Sequence, residues 1–104
     1  MNDLHFKEPV DPDLFAESER VLAEQMQAIE GFEGFGVIQA SETHVIIVIL
    51  GDSTEVLDRI ATEVGSPWMD ANVVPLLAAP PERHVGPLIA VRGNLMHSRP
   101  PRVE

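Results

Sequence analysis

There is no cysteine in this chain of 104 residues. Disulfides, zinc–thiolate centres and thiol catalysis are therefore excluded. There is no tyrosine, and Trp68 is the single tryptophan. Positive charge is scarce: Lys7 and six arginines face 17 acidic residues, for a net charge of -10. Nucleic acid and anionic membrane surfaces both require a basic footprint, so neither is an expected partner. No apolar run approaches the ~18 residues that a membrane span needs. The first six residues, Met1 to Phe6, lack the basic start and long apolar stretch of a signal peptide. The expected location is the cytoplasm. His5, His44, His84 and His97 share no helical metal-ligand spacing, and there is no Gly-rich phosphate loop. No cofactor and no metal are expected.

What is present describes one domain with an ordinary apolar share of 44%. The charge is unevenly placed. Residues 1–82 hold 16 acidic residues against Lys7, Arg20 and Arg59, a net of -13, whereas residues 83–104 hold four arginines against Glu104, a net of +3. The strongest single signal is Val45-Ile46-Ile47-Val48-Ile49-Leu50, closed by Gly51-Asp52. An unbroken apolar run, β-branched but for Leu50, reads as a strand buried on both faces, because a half-exposed strand alternates. Two helices of this chain can cover one face of a small sheet. A second copy of the chain is the economical cover for the other, so a homodimer is expected.

Leu4 to Val10 reads as a first strand interrupted by Pro9. Asp11-Pro12 is an N-cap followed by proline in the first helical position, and the helix is expected to run to Glu30. Leu14, Ser18, Val21, Leu22, Met26 and Ile29 form its expected buried stripe, and Gly31 is placed for a left-handed C-terminal turn. Phe35 to Ala40 and His44 to Leu50 are the second and third strands, joined by Ser41-Glu42-Thr43. Asp52 and Glu55 begin a second helix, with Val56, Leu57, Ile60 and Val64 buried and Gly65 at its end. Ser66 to Asp70 reads as a turn or short helical piece. Asn72 to Leu77 reads as the fourth strand. The order β-α-β-β-α-β predicts an α+β, ferredoxin-like domain with an antiparallel sheet, strands one and three at its centre. That domain spans residues 1–82. Residues 83–97 are expected to form an arm at the dimer seam, with Leu88 to Val91 packed there, and residues 98–104 a flexible tail.

With this element order, Glu30-Gly31-Phe32-Glu33-Gly34-Phe35 and Gly65-Ser66-Pro67-Trp68 are similar to two segments of a known family. The chain resembles the antibiotic-biosynthesis-monooxygenase-like branch of the dimeric α+β barrel superfamily, from about Phe6 to Leu77. The resemblance implies a dimeric barrel built from two ferredoxin-like sheets. Its members include cofactor-independent oxygenases of polycyclic phenols, quinol oxygenases and haem-degrading enzymes. This chain departs from the pattern in carrying Leu50 where many relatives have tryptophan and Glu63 where many have histidine. The haem-degrading pattern needs an asparagine on strand one and a histidine on helix two; helix two has no histidine, so haem degradation is not expected.

Two functions from different classes follow. One is a cofactor-independent monooxygenase that binds an aromatic or polyphenolic molecule in an apolar cleft, desolvates it and orients it toward dioxygen. His5, as a base facing the cleft, and Asn72, as an oriented amide, are its catalytic candidates. Trp68, Met69, Phe35 and Met26 are its substrate-binding candidates; the first reading of Trp68 is a hydrophobic plug against the helix end or at the dimer seam. The other function is a non-catalytic dimer that binds a small molecule or another protein.

Overall fold

The computed structural model describes residues 1–87, 89 and 90. Four strands form one antiparallel sheet: β1 (Asn2–His5), β2 (Phe32–Gln39), β3 (His44–Gly51) and β4 (Glu82–Arg83), in the order β2-β3-β1-β4. Strands one and three are central. This α+β arrangement is compatible with a ferredoxin-like fold.

Helix α1 (Pro12–Gln27) starts where Asp11 accepts a hydrogen bond from the Asp13 amide at 3.0 Å. Its buried stripe is Phe15, Ser18, Leu22 and Met26. Val21 is half exposed and lies off it. The helix ends at Gln27, short of Glu30, and the chain then turns through Gly31 at φ +97°. The turn delivers two phenylalanines to the core. Phe32 and Phe35 are three residues apart, so a regular strand would place them on opposite faces. A bulge between Phe32 and Gly34 resets the alternation, and both rings pack against the core under the helices.

Helix α2 (Thr54–Ile60) is capped by Ser53, whose hydroxyl accepts from the Val56 amide at 3.2 Å. The expected cap, Asp52, instead donates its backbone N–H to the Gly31 carbonyl. Gly65 does not end the helical path. A π-helical segment, Ala61–Gly65, leads directly into α3 (Ser66–Asn72). Pro67 explains the wider turn. Proline has no N–H, and its ring collides with the carbonyl four residues back. Here the Ser66 amide bonds five residues back, to Ala61, which eases the backbone past that collision.

The expected strand from Asn72 to Leu77 is corrected. Asn72 closes α3, with its side-chain amide donating to the Trp68 carbonyl at 3.0 Å, and Val74–Leu76 form a 3₁₀ turn. Pro75, a poor strand residue, suits the start of such a turn. The turn drops Val73 and Leu77 into the core, where they are 0% and 8% exposed. The fourth strand comes later, as a two-residue pairing of Asn2 with Arg83 and Asp3 with Glu82. The first strand is likewise shorter than expected, ending at His5 with one further bridge from Phe6 to Leu77.

The core lies between the sheet and the helices in two adjoining groups. One gathers Leu4, Phe6, Phe15, Val45, Ile47, Val73 and Leu77; the other gathers Leu22, Met26, Ile29, Ile60 and Val64. Burying Met26 or Ile60 contributes about 1.5–3 kcal/mol each. Strand β3 is not doubly buried within one chain. Val45 and Ile47 are buried under the helices, whereas Ile46, Val48 and Leu50 are only partly covered on the other face. No helix among the described residues is long and apolar enough to cross a membrane. Ile89 and Ala90 are exposed, while Leu88, Val91 and the expected tail at 98–104 lie outside the described residues.

Candidate functional site

Between α1, the α2–α3 run and the sheet is a cavity of about 390 Å³. That volume lies within the ~300–1,000 Å³ range of small-molecule pockets. Met26 and Phe15 reach it from α1, Phe35 from β2, Ile47 and Ile49 from β3, and Trp68 and Met69 from α3. The local reasons are plain in the sequence. Phe15, Ser18, Leu22 and Met26 repeat at helical spacing, so they share one face. Trp68 follows Pro67 on the first turn of α3, and the π segment sets the rotation of that turn. The rings of Trp68 and Phe15 meet edge-on with centroids 6.0 Å apart, and Phe15 meets Phe6 at 6.1 Å. Trp68 thus both packs against the core and walls the cavity.

The polar groups on the wall are few. Ser18 is 4% exposed and donates its hydroxyl proton to the Phe15 carbonyl at 2.8 Å, leaving its oxygen lone pairs as acceptors. Arg83 arrives from β4, with one guanidinium nitrogen 2.8 Å from Asp58 Oδ1. Asn2, Ser66 and Asp70 are the other polar residues on the wall among those described.

The four substrate-binding candidates, Met26, Phe35, Trp68 and Met69, all line this cavity. The two catalytic candidates do not join them. His5 stands on the opposite face of the sheet, because its neighbours Leu4 and Phe6 are the residues that point into the core. Asn72 is exposed, with its amide held by the Trp68 carbonyl. No histidine among the described residues lines the cavity. No family model, curated protein or solved structure matches the chain.

Phe15, Ser18, Asp70 and Arg83 are lining residues that sequence reasoning passed over. The 15, 18, 22, 26 spacing is a readable signal for the first two. Arg83 has none, since it reaches the cavity only through the pairing of β4 with β1.

A second polar group forms on the open face. His44 Nε2 lies 2.9 Å from Asp3 Oδ1, and the His44 ring stacks on His5 with centroids 4.3 Å apart. Beside them the Met1 ammonium donates to the His84 carbonyl at 2.8 Å. Partial burial, with the Arg83 charge adding to it, holds that amine below the usual α-amino range, against an opposing pull from Asp3.

Proposed function

We propose that this chain binds a flat aromatic molecule carrying an acidic hydroxyl, and that it does so as a homodimer of the dimeric α+β barrel kind. The observation that carries the reading is the cavity. It has aromatic and thioether walls from Phe15, Phe35, Trp68, Met26 and Met69, with Arg83, whose guanidinium is paired with Asp58, among its few polar residues. Apolar walls suit the ring system, and a cation suits a phenolate or enolate oxygen.

The same features support cofactor-independent monooxygenation, the chemistry implied by the resemblance to the antibiotic-biosynthesis-monooxygenase-like branch. In that reaction dioxygen oxidises the bound anion by four electrons: one oxygen atom replaces hydrogen on a ring carbon as a carbonyl, and the other leaves as water. The cavity's contribution is to exclude water, orient the ring and hold its anionic oxygen near Arg83. Asp70, an exposed residue that lines the cavity, is the carboxylate proposed to accept the hydroxyl proton. These roles replace those expected of His5 and Asn72.

Trp68 is the sole tryptophan, so its fluorescence reports the cavity directly. Titration with a dihydroxynaphthalene should quench it saturably, and Arg83→Met should weaken binding by about tenfold, the loss of one charge-assisted hydrogen bond of ~1.5 kcal/mol. An oxygen electrode then separates the two functions. Oxygen uptake with the bound quinol identifies an oxygenase, and binding without uptake identifies a binding protein. A fluorescence signal indifferent to such ligands would overturn the reading.

A further inference from the structure

The open face of the sheet carries a feature that the cavity does not use. Asp3 on β1 and Glu82 on β4 are directly paired across the two strands. Like charges at directly opposed positions destabilise a sheet. His84 projects from the same face as Glu82, two residues on. Its Nε2 lies 3.5 Å from Asp3 Oδ2 and 4.0 Å from Glu82 Oε2. One donor atom from each of the three side chains falls within 4.8 Å of the others.

We propose that Asp3, Glu82 and His84 form a binding site for a divalent transition-metal ion, best matched by zinc. A tetrahedral zinc ion with bonds of about 2.0–2.1 Å separates its ligand atoms by roughly 3.3 Å. The 3.5 Å from His84 Nε2 to Asp3 Oδ2 is close to that value, and the 4.0 Å to Glu82 Oε2 is longer. The Glu82 and His84 side chains are more than half exposed, so they are free to close the remainder, while that of Asp3 is only 16% exposed and is held in place. A neutral imidazole and two carboxylates leave two negative charges for a dication to balance. Nitrogen and oxygen donors suit zinc and its divalent neighbours and do not suit copper(I).

The surroundings complete the site. Asp3 offers Oδ2 toward His84, and its other oxygen, Oδ1, is engaged by His44 Nε2. Such a contact orients a ligating carboxylate from behind. His5, stacked on His44, limits the rotation of that ring. His44 is therefore a positioning residue. Three protein ligands leave a fourth place for water or an exogenous donor. A protonated His84 would also offset the paired carboxylates, as a plain ion pair that takes up no metal; a metal titration distinguishes the two.

The full chain, freed of metal by chelation and dialysis, is titrated with zinc chloride by calorimetry at neutral pH. The expected result is one equivalent bound per chain and a higher melting temperature with excess zinc. Glu82→Gln and His84→Gln, both at exposed positions, should keep the fold by circular dichroism and weaken zinc binding by roughly tenfold or more. His44→Gln should weaken it by about tenfold while leaving the stoichiometry intact. Glu24→Gln, at an exposed position on α1 and not among the three ligands, should leave it unchanged. The proposal is overturned if saturable binding is absent up to millimolar zinc. It is equally overturned if binding survives Glu82→Gln and His84→Gln at full strength.

Discussion

Gly31 alone among the described residues has a positive φ. Its φ of +97° is open to glycine and costly for any other residue. A Cβ there would also lie 2.7 Å from both Asp52 Oδ1 and Val56 Cγ2. The two penalties act together, because the same turn that needs the left-handed conformation presses against the start of α2. Gly31→Ala should therefore destabilise the protein by at least about 1–2 kcal/mol in urea unfolding. Gly36 is the natural control. Its φ is not positive, and a Cβ added there meets nothing within 4 Å. Gly36→Ala should be neutral or mildly stabilising, since it removes freedom from the unfolded chain. Equal losses at the two positions would show that the Gly31 conformation is not the cause.

At the scale of elements, the helical path from Thr54 to Asn72 is held by its two ends and eased in its middle. Ser53 satisfies one amide at the start, and the Asn72 side chain reaches back to the Trp68 carbonyl at the end. Between them, the π segment accommodates Pro67 without breaking the run. That segment sets the rotation of α3 and so directs Trp68 and Met69 into the cavity. Ser53→Ala should cost about 1 kcal/mol, within the ~0.5–2 range for loss of an N-cap. Asp52→Ala should cost less than half of that, since the Asp52 contribution to the turn is its backbone N–H. Thermal unfolding of the two variants distinguishes them, and the reverse order would return the cap to Asp52.

For the whole molecule, the sheet is covered unequally. The helices bury Val45 and Ile47, while Ile46, Val48 and Leu50 are left partly covered and Ile38 is 52% exposed on the opposite face. In the proposed dimer, the β2–β3 part of this face meets its copy, and the edge at β4 stays open. Val48 sits near its middle, opposite Gly36. Sedimentation should show a dimer at micromolar concentration. Val48→Asp should yield a folded monomer, because a charge buried unpaired in such a contact costs on the order of 3–5 kcal/mol. A wild-type chain that sediments as a monomer at that concentration would remove the dimer.

The sequence by itself determined the features that depend on near neighbours. Asp11-Pro12 starts α1, the Val45–Leu50 run is a central strand, and Gly31 takes the left-handed turn. Each rests on steric or hydrogen-bonding preferences within a few residues. Tertiary structure decided the rest. Val73 and Val74 have strand-like side chains, yet burying Val73 completely in the core takes a helical turn there. His5 looked free to face the helices until its pairing with His44, beside the buried pair Leu4 and Val45, put it on the other face. Arg83 in the cavity wall, and Asp3 beside Glu82 and His84, come from opposite ends of the described chain. Their meeting depends on which strand edge β4 chooses, and local periodicity carries no information about that choice.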